Sequence, residues 1–410
     1  MMEFSDRISS AEFAQTARHP DFPNAFTRSR KLPLPALIAA LLSMRNQSQQ
    51  AMLDTFFASV LDTSVPVREL SDRAFAKARA RLHLPALDAL NDFVVRQADQ
   101  AGLIQRWLGL RVVAADAAVL MPAMRSCLRV RSPAPADQRL FALYLPGAEL
   151  TLHASVHSAS VGERAMLVEA LDLLGPDDVL VLDRGYPASW LVALLNERRI
   201  RFVMRCDSNS GWAAQRAFMR SSQPEDWVNL TAPSALDVRD WGCPEGAPRA
   251  RLIRQVAPSG AIRVLVTNLD SQAFPAEAFA DLYHQRWRIE EAFKRIKHRL
   301  HLEAVSGLSQ HALIIDVAAK ILADNITSLM CAAAGEQAEL AQRGRKCKRS
   351  YAAFIMQRAL PAMVLLIGDL RAKIDHVLEH LGANWQRCIP RRSRPRVSAH
   401  VKPHPSAVYK

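Results

Sequence analysis

The sequence predicts an α/β protein, with a mixed-sheet core between a helical N-terminal region and a helical, basic C-terminal region. Three observations carry this expectation. Residues 1–105 repeat apolar positions at helical spacing and are punctuated by Pro33, Pro66 and Pro85. From Leu110 onward short apolar runs alternate with helical patterns. Among them Asp178–Leu182 (Asp-Val-Leu-Val-Leu) is the continuous run expected of a central strand covered on both faces. After Glu379 no acidic residue remains, while Arg387, Arg391, Arg392, Arg394, Arg396, Lys402 and Lys410 follow.

Taken in order, helical spacing covers Leu34–Met44, Ala51–Leu61, Ala74–Leu84 and Leu87–Leu103. The stretch Ser71–Arg81 sets Lys77, Arg79 and Arg81 beside an apolar stripe, which suits either a small DNA-binding module or an ordinary basic helix surface. Arg111–Leu120 reads as a buried strand, Arg139–Leu145 and Glu149–His157 as a hairpin about Pro146-Gly147, and Arg164–Leu174 as a helix. A helix over Trp190–Arg199 and a strand over Ile200–Arg205 complete a mixed sheet with helices on both sides. Residues 206–262 are rich in Ser, Pro, Gly and Asp, hold Trp212, Trp227 and Trp241, and are expected to form a β-rich insertion. A strand over Arg263–Thr267, a long helix from Pro275 to Leu302, and helices over His311–Met330 and Tyr351–Leu381 follow.

Composition narrows the function classes. Lys plus Arg number 53 against 40 Asp plus Glu, a net charge of +13. Such a surplus favours a polyanionic partner, nucleic acid before an anionic membrane surface. A second basic cluster, Arg343, Arg345, Lys346, Lys348 and Arg349, points the same way, although either cluster alone also fits a solvated surface. The longest uncharged apolar run, Leu32–Met44, is shorter than the roughly 20 residues a membrane span needs. The first residues lack a secretory pattern. The six cysteines are scattered without a C-x-x-C pair, which argues against a zinc finger or disulfide scaffold and fits a reducing cytosol. The expected location is therefore cytoplasmic. No dinucleotide-binding, Walker or H-E-x-x-H motif occurs, so nucleotide- and zinc-dependent chemistry lacks support.

Three carboxylates stand out. Asp116 lies inside the apolar run Val112–Leu120 and is the one acidic residue between Asp99 and Asp137. An Asp in a buried strand is costly unless a metal, a hydrogen-bond network or backbone amides compensate it. Asp183 ends the central strand, where open α/β sheets collect ligands, and is followed by the turn residues Gly185 and Pro187. Read by itself, Asp183 is first of all a helix N-cap. Farther on, Tyr283, Arg286, Glu290 and Lys297 fall within one arc of about 60° on a helix that turns about 100° per residue. Leu282, Ile289, Phe293, Ile296 and Leu300 form the adjacent, core-facing arc, and Glu291 rotates toward solvent. An Arg–Glu surface pair explains the spacing too. Two Asp from strands and a Glu from a helix can hold two Mg²⁺ ions about 3.5–4 Å apart, with Mn²⁺ as a substitute, for phosphodiester chemistry.

The pattern Tyr-x-x-Arg-x-x-x-Glu-x-x-x-x-x-x-Lys over Tyr283–Lys297, with Asp183-Arg184-Gly185-Tyr186 upstream, resembles the signature of bacterial insertion-sequence transposases of the DDE class, fourth insertion-sequence group. The similarity runs from about Phe26 to Asn325. It implies an RNase H-like catalytic core with a β-rich insertion between the second Asp and the Glu. In that reading residues 1–105 are a helical DNA-binding region, 106–330 the catalytic domain with its insertion at about 206–262, and 331–410 a helical region with a basic tail. Asp116, Asp183 and Glu290 would be the catalytic, metal-holding set, and Tyr283, Arg286 and Lys297 would contact DNA. The implied partners are double-stranded DNA, as inverted-repeat ends and as target, and a second copy of the chain. Relatives also use a Trp of the insertion to hold a flipped base, for which Trp212, Trp227 and Trp241 are the candidates. Where many relatives follow the first Asp with Gly or Ser and then Thr, this chain has Ala117-Ala118. A metal-dependent nuclease without strand transfer, and a decayed transposase that only binds DNA, are the alternatives.

Overall fold

A computed structural model describes residues 1–28, 30–44, 48–120, 138–206, 212–256, 262–285, 288–293, 301–304 and 309–388. The chain begins with helices α1 (Met2–Ser9), α2 (Ala11–Thr16), α3 (Leu34–Ser43), α4 (Gln49–Val60), α5 (Asp72–Arg79) and α6 (Leu84–Gln100). Strands β1 (Arg106–Trp107), β2 (Leu110–Leu120), β3 (Gln138–Leu145) and β4 (Leu150–Ser158) come next, then α7 (Glu163–Glu169) and β5 (Asp178–Leu182). They are followed by α8 (Ser189–Glu197), β6 (Arg201–Cys206), α9 (Ala213–Arg220), β7 (Glu225–Asn229), α10 (Ala235–Trp241), β8 (Arg249–Val256), β9 (Ile262–Thr267) and α11 (Phe279–Gln285). Residues 288–293 are helical. Helices α12 (Gln310–Gln337), α13 (Arg349–Val364) and α14 (Leu370–Ala383) close the described chain, with the short strands β10 (Arg345–Cys347) and β11 (Trp385–Arg387) paired antiparallel.

The mixed α/β core expected from the sequence is present. Its sheet runs β4-β3-β2-β5-β6-β9-β8-β7, with β1 paired on β2. Strands β2, β5 and β6 are parallel, and β9, β8 and β7 extend the sheet antiparallel. The first five long strands thus lie in the order 3-2-1-4-5. Every residue of β5 is buried, as its unbroken apolar run requires. Beneath the sheet, Val112, Val179, Val181, Val203 and Leu265 pack against Phe279, Leu282 and Tyr283 of α11. Arg111 donates to both oxygens of the buried Asp178, at 2.8 Å for the outer contact, and so joins β2 to β5. The insertion supplies β7 and β8, but also α9 and α10. Ser234 and Asp237 cap α10 reciprocally, an S-x-x-D signal that marks a helix start.

The chain divides into two units: one of residues 1–101, 119–138 and 294–410, the other of 102–118 and 139–293. In the first, the N-terminal and C-terminal segments share one apolar core, with Leu37, Leu41, Leu53, Phe75 and Leu90 packed among Ile315, Leu322, Met356, Leu360 and Leu381. The sequence reading had kept these segments apart. The run Leu32–Met44 becomes α3, buried all round. Helix α12 carries polar residues into this core, and they find partners there. Arg79 reaches Asp316 at 3.4 Å, Asn325 donates to Asn91 Oδ1 at 2.7 Å, and Arg349 meets Asp324 at 3.2 Å and Ser328 at 2.6 Å. The single helix expected over Tyr351–Leu381 is two helices, broken where Leu366 and Gly368 take φ of 52° and 66°. Among the described residues no helix is long and apolar enough to cross a membrane.

Candidate active site

Strand order reverses direction between β2 and β5: the chain builds outward from β2 to β4, then restarts on the other side with β5. Ligand sites of open α/β sheets form at such points, outside the carboxyl ends of the strands. The parallel register pairs Ala114 with Val181. Asp116 and Asp183 each follow this pair by two residues, Asp116 within β2 and Asp183 just past the end of β5. Asp116 is half-buried and accepts the Ala117 N–H at 2.9 Å.

Asp183 sits in a turn that the next residues hold on three sides. The Gly185 N–H donates to Asp183 Oδ1 at 2.7 Å, and the Tyr186 N–H donates to the Asp183 carbonyl at 3.3 Å. The Tyr186 side chain is fully buried, which pins the far end of the turn. Gly185 has a steric reason: a Cβ there would lie 3.0 Å from Asp183 Oδ1 and 3.5 Å from Glu163 Oε2. From the other side Arg164 donates through Nε to the Gly185 carbonyl and through Nη2 to the Pro187 carbonyl, each at 3.1 Å. Glu163 therefore shares the space over Gly185 with Asp183. Burial first, and the Asp183 charge second, push its carboxyl above the ordinary range, against the pull of Arg139 and Arg164. Sequence reasoning missed Glu163 because it started this helix one residue late, at Arg164. The Gly162-Glu163 step, where the chain leaves an extended Gly for an acidic first turn, was the available signal.

Glu290 is half-buried beside Ile289, which is 1% exposed, and Glu291 is exposed, so the apolar arc does face inward. Tyr283 departs from expectation. It is 5% exposed and packs with Phe279 and Leu282 under the sheet, because the i, i+3, i+4 stripe of α11 is an apolar one that includes the tyrosine ring. A surface contact to DNA does not follow from that position. Arg286 and Lys297 lie outside the described residues. Among the described residues no three His, Cys, Asp or Glu side chains are grouped closely enough to hold one ion, so Glu290 is not drawn onto the two aspartates here. The donor set is nonetheless all carboxylate oxygen, the chemistry a Mg²⁺ ion accepts. Of these groups Asp183 borders the space over Gly185, and Glu163 borders the same space.

Of the insertion tryptophans, Trp212 is buried with its Nε1–H on Ser189 Oγ at 2.8 Å, and Trp241 stacks on Trp190 at 4.4 Å. Trp227 is half-buried under the Arg249 guanidinium at 5.0 Å. All three rings are engaged within the fold.

A separate basic groove of about 810 Å³ lies in the N-terminal helical segment. Arg28, Arg30, Lys31, Lys77 and Arg81 line it against the lone acid Asp21. Lys31 pairs with Glu69 at 3.0 Å, and Arg81 lies over the exposed Phe22 ring. Among the described residues Arg28, Arg30 and Lys77 have no carboxylate partner.

Residues 135–326, which carry Asp183 and Glu290 but not Asp116, match the family model described as the transposase DDE domain. Over 104 residues, 24% of its length, the chain is 33% identical to the transposase for insertion sequence element IS421 of Escherichia coli. Over 174 residues, 41% of its length, it is 28% identical to the "Probable transposase for insertion sequence element IS5377" of Geobacillus stearothermophilus. These matches span 28% and 41% of the relatives' own lengths. The solved piggyBac transposase synaptic complex with hairpin DNA aligns over 96% of this chain and 86% of that one, with a TM-score of 0.45 and 11% identity.

Proposed function

We propose that the chain is a DNA transposase of the DDE class that binds the inverted-repeat ends of its element, cleaves them and joins them to target DNA. The observation that carries this reading is the register of β2 and β5 at the switch point of the sheet, in which Ala114 pairs with Val181 and Asp116 and Asp183 each follow by two residues. It is supported by the transposase DDE-domain match of the segment that holds Asp183 and Glu290. Asp116, Asp183 and Glu290 would hold the divalent ions, Mg²⁺ or Mn²⁺, and the side chains of the Asp183 turn would fix the second carboxylate. Bound there, a metal pair would activate water or a 3′-hydroxyl and stabilise the leaving oxygen of the phosphodiester. The chain's own contribution is orientation. Gly185 N–H and the Arg164 clamp hold Asp183, and Arg111–Asp178 keeps the two strands in register.

End binding falls to the cationic groove lined by Arg28, Arg30, Lys77 and Arg81, with Arg286 and Lys297 as the further phosphate contacts that the sequence pattern offers. Two ends must be held together for joining, so a homodimer is the working assembly. The test is a set of variants, Asp116→Asn, Asp183→Asn and Glu290→Gln, assayed on a plasmid carrying the DNA that flanks the gene. Each should lose strand cleavage while keeping end binding, since Lys and Arg contacts to phosphate dominate affinity. Full nicking by any one removes that residue from the set. Nicked but never joined products would favour a plain nuclease.

A further inference from the structure

We infer that Glu163 is a fourth carboxylate of this site, directed with Asp183 toward the divalent cation; the inference rests on the metal-dependent reading above. Glu163 Oε2 and Asp183 Oδ1 both border the space over Gly185, where an added Cβ would lie 3.5 Å from the first and 3.0 Å from the second. That closeness is built in. Glu163 opens α7, and the next residue, Arg164, ties α7 to the carbonyls of Gly185 and Pro187 on the Asp183 turn. The two carboxylates are therefore carried by elements that cannot shift independently without breaking both bonds.

Two like charges held close repel, and a divalent cation between or beside them would relieve that repulsion. The nearby arginines act on Glu163 through their charge while their hydrogen bonds go elsewhere, those of Arg164 to the two turn carbonyls and that of Arg139 Nη1 to the Val161 carbonyl at 3.2 Å. Among the described residues no Lys, Arg or His forms an ion pair with Glu163. A hard oxygen pair with a gap kept clear of side chains by glycine suits Mg²⁺ or Mn²⁺, directly or through a bound water. A purely structural Glu163 would instead serve as the acidic first-turn residue of α7.

Mn²⁺ alone is the probe, titrated into the full chain, with free Mn²⁺ read by electron paramagnetic resonance and melting followed in EDTA. Glu163→Gln should weaken Mn²⁺ binding about tenfold or more, the scale seen when a supporting ligand is lost. Its melting temperature in EDTA should not fall, because a like-charge contact has been removed. Wild-type Mn²⁺ affinity in Glu163→Gln, with Asp183→Asn weakened, overturns the inference and leaves the larger reading standing. Wild-type affinity in Asp183→Asn and Glu290→Gln as well overturns both. Lowered melting in EDTA with unchanged Mn²⁺ affinity assigns Glu163 to the helix terminus alone. Should Glu163→Gln fail to fold, Glu163→Asp keeps the charge and retracts it by one methylene. Weaker Mn²⁺ binding by that variant supports the inference, and unchanged binding overturns it.

Discussion

Gly185→Ala separates the chemistry of the site from its stability. The added methyl would stand 3.0 Å from Asp183 Oδ1 and 3.5 Å from Glu163 Oε2. A relaxed contact needs about 3.5 Å, so Asp183 must retreat by about half an ångström or the turn must give. Retreat strains the 2.7 Å bond from the Gly185 N–H, which aims that carboxylate. Reactive groups need placement within about 0.5 Å, and a 1 Å error costs on the order of 10²-fold. Cleavage should therefore fall by about 10- to 100-fold. Stability should scarcely change. Gly185 is exposed and outside the left-handed region, so Ala fits its backbone. The loss of unfolded-state freedom contributes about 0.4–1 kcal/mol in favour of the fold, offsetting part of the strain. The assay is nicking of the flank-bearing plasmid in Mg²⁺, beside thermal melting. A variant that melts like wild type and nicks at the wild-type rate would refute the reasoning, since the space over Gly185 would then have no use.

Glu291 is exposed where Glu290 is half-buried, so Glu291→Gln should keep most of the nicking activity that Glu290→Gln loses; equal loss in both would reverse the assignment of the helix face. Lys77→Ala, in the basic groove, should weaken binding of an end duplex and lower the slope of log affinity against log salt by about 0.9, measured by titration across a salt series. Burial first, and the Asp92 charge second, raise Asp88 from its ordinary 3.8 to about 6. The folded state then holds a proton that the unfolded chain releases between pH 3.8 and 6, so this residue's contribution declines as pH rises through that window. Asp88→Asn should therefore stabilise the protein by about 2–3 kcal/mol at pH 7.5 and by little at pH 4, as read from denaturant melts at both values.

What could be read from the sequence divides along physical lines. Local periodicity finds α3 to α6, the β3–β4 hairpin and β5, because in each the burial pattern is set by immediate neighbours. The placing of Asp116 within a strand and of Asp183 just past the end of one follows from the same signal. Long-range pairing leaves no such mark: nothing near Leu37 or Leu41 announces that Met356 and Leu360 complete their core. The polar residues of α12 are legible only once their partners on other helices are known. Tyr283 shows a second limit. An arc on a helical wheel has edges, and a tyrosine at the edge of an apolar stripe joins the core when its ring is needed there. Glu163 shows a third, since an error of one residue in a helix start hid an acid beside Asp183. Gly368 and the Ser234–Asp237 pair were readable punctuation.

The shared core of the terminal segments has a consequence during synthesis. Helices α1 to α6 emerge first, yet Ile315, Leu322, Met356 and Leu381, which cover them, are translated more than two hundred residues later. At roughly 5–20 residues per second, the N-terminal helices wait on the order of 10–40 s with their apolar faces exposed, while the sheet-bearing unit can form in the interval. A ribosome that stops early releases a chain with an incomplete helical core around its cationic groove. Truncated products should thus be prone to aggregation and proteolysis. Folding itself then acts as a check on which polypeptides acquire a complete helical core.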